Sequence, residues 1–166
     1  MGEKQFVSKG QSVSFEGVFS LKGLYRTIDE YFHRLGYDKY EGKALEAVNK
    51  GGKYSVVELE YNRKLNDYVD SRHKVVIEAE NMVPVDIKKG DTRQRMQKGR
   101  VSVTMDSIME TDYELRWEGK PFYYLMRLIW ERYVWAPMSL NFKSEIKNVI
   151  SHFFAEVKAY LNLGKF

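Results

Sequence analysis

The chain of 166 residues contains no cysteine. Disulfide bonds, zinc sites built on thiolates and cysteine nucleophiles are therefore excluded. The first eleven residues include no apolar run that could serve as a signal peptide, and no Asn-x-Ser/Thr acceptor for glycosylation occurs. We therefore expect a cytoplasmic protein.

Long apolar runs are also scarce. The most apolar stretch, Phe122 to Pro137, is too short to cross a bilayer and contains Arg127, Glu131 and Arg132, so we expect no membrane span. Apolar residues make up 43% of the chain and charged residues 30%, which is the balance of a folded domain rather than of a disordered chain. At this length we predict a single domain over residues 1–166.

Recognised catalytic and cofactor motifs are absent as well. The sequence has no Gly-x-Ser-x-Gly elbow, no P-loop and no Gly-x-Gly-x-x-Gly fingerprint. Its three histidines, His33, His73 and His152, are far apart and lack metal-ligand spacing, so we interpret them as surface residues or hydrogen-bonded structural residues. We predict no catalytic residue, no metal site and no cofactor.

The first half of the chain has the pattern of a strand, a helix and further strands. Ser12 to Phe19 alternates as a half-buried strand, and Ser20 then caps a helix whose apolar stripe runs from Leu21 to Leu35. A turn at 49–52 joins two strands. The strand after these is interrupted by Pro84, where we expect a bulge, a bend or an edge position.

The longest alternating pattern runs from Arg100 to Glu118. Its odd positions are all apolar or small, and nine of its ten even positions are polar. Fully extended, it would span roughly 60 Å at about 3.3 Å per residue, which is far longer than an ordinary strand. We therefore expect it to curl, or to break by a bulge at Ser107 or Thr111, and both outcomes favour a curved antiparallel sheet.

Two helices follow. The first begins at Pro121, is apolar nearly all round and stops at Pro137, and the second runs from about Asn141 to Leu163. Together these elements predict an α+β fold. It is a curved antiparallel β-sheet of five to six strands with an N-terminal helix and two C-terminal helices on one face.

The helix at 121–135 has more aromatic residues than one core face requires. It could be plain core, line a ligand cavity, or form a dimer or partner interface, since Tyr and Trp are enriched at interface hot spots. The candidate residues for a ligand or partner surface are Tyr123, Tyr124, Trp130, Tyr133 and Trp135.

A basic segment precedes the long strand. It holds six cations against the single acid Asp91, and we expect it to form a hairpin tip. It could be a solvated turn or contact phosphate, most naturally that of RNA. It contains no aromatic residue for stacking on single-stranded bases, so a structured RNA is the better fit. The candidate nucleic-acid-binding residues are Lys88, Lys89, Arg93, Arg95, Lys98 and Arg100.

Acidic residues lie along the even side of the long strand. Neighbouring carboxylates there are about 7 Å apart, a separation that acid/base catalysis or a hard cation could use. Catalysis needs unlike environments that drive the two pKa values apart, and a solvated face does not provide them. We interpret these acids chiefly as charges that keep a long strand from pairing with other chains. They are Asp106, Glu110, Asp112 and Glu114.

The segment Glu110 to Tyr133, including Trp117-Glu-Gly-Lys-Pro-Phe-Tyr-Tyr, resembles a group of small uncharacterised archaeal proteins, as do Gly99 to Asp106 and the early helix. The resemblance implies an archaeal setting and no activity. The element order also resembles the helix-grip (START-like) fold, in which a curved sheet wraps a C-terminal helix over an apolar cavity. The present pattern departs from it in having five or six strands rather than seven, and two C-terminal helices rather than one.

These observations favour a non-enzymatic binding or interaction module. The sheet and the helix at 121–135 would form an apolar pocket for a small molecule or a docking surface for a protein, and a homodimer is one form of that docking. The alternative is an RNA- or ribosome-associated protein that uses the basic tip at 88–100. An acid/base enzyme on the acidic strand face is a more distant alternative.

Overall fold

A computed structural model describes residues 3–111 and 121–163. A strand and a helix come first, four strands follow, and two helices joined by a π-helical segment complete the order. The elements are Glu3–Phe19 (β1), Leu21–Arg34 (α1), Asp38–Asn49 (β2), Gly52–Lys64 (β3), Val69–Lys89 (β4), Thr92–Thr111 (β5), Pro121–Trp130 (α2), the π-helical segment Glu131–Trp135, and Ala136–Leu163 (α3).

The five strands of the described part form one antiparallel sheet in the order β1-β5-β4-β3-β2. β1 and β5 pair although they lie at opposite ends of the described strand sequence, which places the longest strands at the centre. The predicted α+β class with an antiparallel sheet is confirmed.

The two faces of the sheet differ as the alternation of β5 predicts. Val101, Val103 and Met105 at odd positions are at most 1% exposed, whereas Ser102 and Thr104 between them are half-buried. The odd face is therefore the core face, and α1 and α3 cover it.

Helix α1 begins and ends at the capping residues that the sequence predicts. The Ser20 hydroxyl accepts a hydrogen bond from the Gly23 amide at 3.2 Å, and Gly36 follows the helix with a φ of 76°. The buried side of the helix consists of Leu24, Ile28, Tyr31 and Phe32.

Helix α3 packs beside α1 and against β1 and β5. Two tyrosine hydroxyls join these layers: Tyr31 donates to the Val149 carbonyl at 2.7 Å, and Tyr160 donates to the Ser20 carbonyl at 3.1 Å. Because each bond satisfies a polar tip above an apolar ring, the helices are fixed in place as well as buried. The buried residues of α3 include Ile146, Ile150, Phe153, Phe154, Val157 and Leu161.

The bulge expected at Ser107 lies on the partner strand instead. The register of β1 against β5 shifts between Phe6 and Gln11, opposite Ser107. Gly10, at a φ of 66°, lies in the second of the two shifts, and its amide donates to Asp106 Oδ1 at 2.6 Å. β5 therefore remains regular there. The predicted positions after Thr111, through Glu118, lie outside the described residues.

The basic segment forms a hairpin, as predicted, but it is strand almost throughout, so the loop at its tip is much shorter than Lys88 to Arg100. Only Gly90 and Asp91 form the turn between β4 and β5. Pairing with β3 ends at Met82, and pairing with β1 ends at Gln97. Residues 83–96 consequently form a two-stranded ribbon beyond the rest of the sheet, which we name the arm. The register shift between Glu80 and Val83 marks its base, next to Pro84 as expected.

The boundary predicted between the C-terminal helices was also wrong. Pro137 is the second residue of α3, which begins at Ala136 rather than near Asn141. The π-helical segment runs directly into α3, so Pro137 lies inside a continuous helical run and does not end it. α2 makes its main contacts with the π-helical segment rather than with the sheet. None of the described helices has the length and hydropathy that a membrane crossing needs.

Candidate functional site

The surface of α2 stands out because it is apolar and uncovered. Leu125 is 57% exposed, Ile129 48% and Trp130 39%. Positions three, four and seven apart lie on one side of a helix, so six of the exposed residues make a stripe about three turns long that continues into the π-helical segment. We name it the α2 stripe: Phe122, Leu125, Met126, Ile129, Trp130 and Tyr133. Leu128, 46% exposed, lies outside this stripe.

The five aromatic residues predicted for this surface do not all lie on it. Trp130 and Tyr133 belong to the stripe. Trp135 is half-buried, with its ring centroid 5.1 Å from that of Tyr68 and 6.1 Å from that of Phe142, so it anchors the π-helical segment to the core. The side chains of the other two, Tyr123 and Tyr124, lie outside the described structure.

The six predicted basic residues do not form one cluster. Lys88, Lys89, Arg93 and Arg95 lie on the arm and are exposed. Lys98 and Arg100 lie at the base of the arm, on the main sheet, and Arg100 Nη2 is 3.3 Å from Glu16 Oε2.

The described acids of β5 have structural partners. Asp106 accepts the Gly10 amide at the β1 bulge. Glu110 lies directly opposite Asp70, and Arg72 lies between the two: its Nε is 3.2 Å from Asp70 Oδ2 and its Nη2 is 3.0 Å from Glu110 Oε2. The two acidic side chains are 12% and 11% exposed, and burial raises the pKa of Asp70 while Arg72 opposes that rise. Asp112 and Glu114 lie outside the described residues.

We expect the substitution Arg72→Met to cost about 2 kcal/mol of folding free energy at neutral pH, because it leaves two buried carboxylates without their cation. The cost should shrink in mild acid, since protonation of Asp70 removes one of the two charges. Urea unfolding at neutral and at mildly acidic pH measures both values. The control is Arg26→Met: Arg26 Nε is 2.7 Å from Glu30 Oε1, but the pair is on the surface and its loss should not be measurable. Equal costs for the two variants would contradict this structural role.

A polar cluster lies in the middle of the core. His73 is completely buried; its Nδ1 is 2.7 Å from Ser107 Oγ, and its Nε2 is 3.2 Å from the Tyr37 hydroxyl and 3.3 Å from Ser71 Oγ. The Ser107–His73 pair has the separation of a nucleophile and its base. Both residues are 0% exposed beneath the ring of Phe32, so the cluster ties strands together rather than meeting a substrate.

The interpretation of the histidines is therefore confirmed, since His33 and His152 are exposed and His73 is hydrogen-bonded. The polar cluster itself was not predicted. The sequence indicates it through the alternation in β4. Every second residue back from Val75 is buried, and this series includes His73 and Ser71. Two polar residues in that series indicate a polar patch inside the core.

Surface grooves lie on the sheet. One groove, with a volume of about 660 Å³, lies at the base of the arm, where Val83, Val85, Lys98 and Arg100 help to line it. None of the residues lining this groove or the two smaller ones belongs to a helix. Between the helices and the sheet, by contrast, described rings fill the space: Phe32 stacks on Tyr61 with centroids 4.2 Å apart.

No protein-family model, no curated protein and no solved structure matches the chain. The resemblance to small archaeal proteins and to the helix-grip fold stays a prediction. The surfaces of the described structure are what point to its function, and the α2 stripe and the arm are two that its core does not account for.

Proposed function

We propose that this protein is a non-enzymatic interaction module and that its α2 stripe docks against a second copy of the chain. The observation that carries the proposal is the exposure of the stripe, whose six large side chains are 39% to 72% exposed. A monomer rarely leaves so many contiguous apolar side chains in water, and such patches mark interaction sites.

α2 is the first part of a continuous helical run that the π-helical segment joins to α3. Among the described residues its contacts are mainly with the π-helical segment, and the stripe stays in water. Packing of the stripe against another surface would stabilise the molecule by about 25 cal/mol for each Å² of apolar surface removed from water.

The chemistry of the stripe favours a second copy as the partner. All six side chains are uncharged, so two stripes can meet across a twofold axis without burying a charge. Side chains three, four and seven apart also interdigitate when two helices pack. The same stripe would then contribute both halves of the interface.

The docking form of the proposal is favoured over the pocket form. An apolar pocket under the helices would need space between them and the sheet, where Phe32, Tyr61 and Phe153 are in ring contact. The stripe needs no such space.

Sedimentation velocity over a wide range of protein concentration tests the proposal. We expect a reversible dimer, and Trp130→Ala should raise its dissociation constant about 10- to 30-fold, because a truncated aromatic hot spot costs about 2 kcal/mol. Ile129→Asp should abolish the dimer, since it would bury a charge at the centre of the interface.

Leu45→Asp is the matched control. Leu45 is as apolar as the stripe residues and 71% exposed, but it lies on β2 at the edge of the sheet. The control should leave the dimer intact. A wild-type chain that is monomeric throughout, or a dimer that Leu45→Asp dissociates and Ile129→Asp does not, would show that the stripe does not join two copies.

A further inference from the structure

The arm has no role in the core. No residue from 83 to 96 is buried, and beyond Met82 and Gln97 neither β1 nor β3 pairs with it. An isolated two-stranded ribbon is only marginally stable. Packing within the fold therefore does not explain why the chain forms this ribbon.

Four charged residues of the arm share one face, while Lys89 lies on the other. Lys88 lies directly opposite Arg93, and Asp86 lies directly opposite Arg95, two residues further along the same face. Like charges directly opposite each other destabilise a strand pair. Lys88, Arg93 and Arg95 make no ion pair with any residue in the described ranges 3–111 and 121–163. An external anion would relieve the repulsion between Lys88 and Arg93.

We propose that the arm binds double-stranded DNA, with its cationic face on the phosphate backbone and its two strands in the major groove. Single-strand binders stack bases on aromatic rings, and residues 83–96 contain none. That absence points to a duplex, whose bases stay stacked on each other.

The ribbon shape decides between the two kinds of duplex. The major groove of B-form DNA, about 12 Å wide, admits a two-stranded β-ribbon. The major groove of A-form RNA is too deep and narrow for one. The basic residues alone suggested RNA, but the segment is a ribbon rather than a loop, and that favours DNA.

Fluorescence anisotropy with a labelled DNA duplex of about 20 base pairs, two helical turns, measures the binding. Three cations on phosphates predict a slope of about −2 to −3 for log K against log salt, so affinity should fall about 15- to 60-fold between about 50 and about 200 mM salt. The variant that changes Lys88, Arg93 and Arg95 to Gln should lose most of the binding and most of this slope. All three side chains are exposed, so the variant should fold, and its circular dichroism and thermal melt check that.

A charge-matched control changes Lys22, Lys147 and Lys158 to Gln, which removes the same charge from exposed positions on α1 and α3. It should bind as the wild type does. Equal losses in the two triple variants would show that net charge, not the arm, attracts DNA. Tighter binding to an RNA duplex or to the single strand of the same sequence would overturn the choice of DNA, and no binding at low salt would overturn the proposal as a whole.

Discussion

The substitution Phe32→Ala should destabilise the protein by about 4 kcal/mol, within the range for truncating a fully buried phenylalanine. Phe32 on α1 is 0% exposed. Its ring lies between the sheet and α3: the centroid is 4.2 Å from that of Tyr61 in a stacked arrangement, 5.4 Å from that of Phe153 and 5.4 Å from that of His73. It is one of the buried side chains through which the helices and the sheet meet.

Two features make the site unable to collapse around a smaller residue. Tyr61 is held by its hydroxyl, which donates to Asp29 Oδ1 at 3.0 Å, and His73 is held by its hydrogen bonds to Ser107 and Tyr37. Neighbours that are fixed in this way cannot move into the space that the ring leaves. The residual cavity adds its own cost to the lost transfer free energy.

Urea unfolding followed by circular dichroism measures the effect at a fixed protein concentration. Phe32→Leu should lose about 1 to 2 kcal/mol, because it keeps most of the buried volume. Phe6→Ala is the control, since the Phe6 ring is 52% exposed on β1 and its loss should cost less than about 1 kcal/mol. A Phe32→Ala variant no less stable than Phe6→Ala would mean that the rings do not form a rigid core.

The parts of the fold that the sequence predicted are those with one buried face. The helix from Ser20 to Leu35 and the strand β5 each bury one side and expose the other. Their apolar residues therefore recur with the period of a helix or of a strand, which can be read from the sequence. The arm buries neither face. Its β4 strand does alternate, with Val83, Val85 and Ile87 opposite Asp86 and Lys88, but its β5 strand is polar on both faces from Thr92 to Arg95 and carries no such signal. The first residues of β1, from Lys4 to Gln11, lie on the edge of the sheet and mostly in solvent, and they were missed for the same reason.

The candidate surfaces could be predicted in part. Trp130 and Trp135 are five residues apart on one apolar segment, which in a regular α-helix puts them about 140° apart and so on different sides. Trp135 packs on Tyr68 while Trp130 stays exposed, and the sequence does not indicate which of the two sides faces the core. In β4, in contrast, the alternation of buried residues extends back from Val75 to His73, so the sequence was sufficient to predict that His73 is buried.

On acidification this protein should unfold at a higher pH than protonation of its carboxylates alone would cause, because His73 is buried as the neutral base. Burial lowers the pKa of His73 from 6.5 to about 3. Between these two values the unfolded chain binds a proton that the folded chain does not, so stability is complete above the unfolded pKa and is lost as the pH falls below it. The loss should reach about 3 kcal/mol at about pH 4.5.

The variant His73→Gln isolates this contribution. Glutamine retains an amide that can hydrogen-bond Ser107 and does not titrate, so the variant should be less stable near neutral pH but should lose about 3 kcal/mol less than the wild type on acidification. His152→Gln removes an exposed histidine and should keep the wild-type pH dependence. If His73→Gln and the wild type lost stability in parallel from about pH 7.5 to about pH 4.5, the proton would have reached His73 in the folded state. The core around Phe32 would then open to water without unfolding.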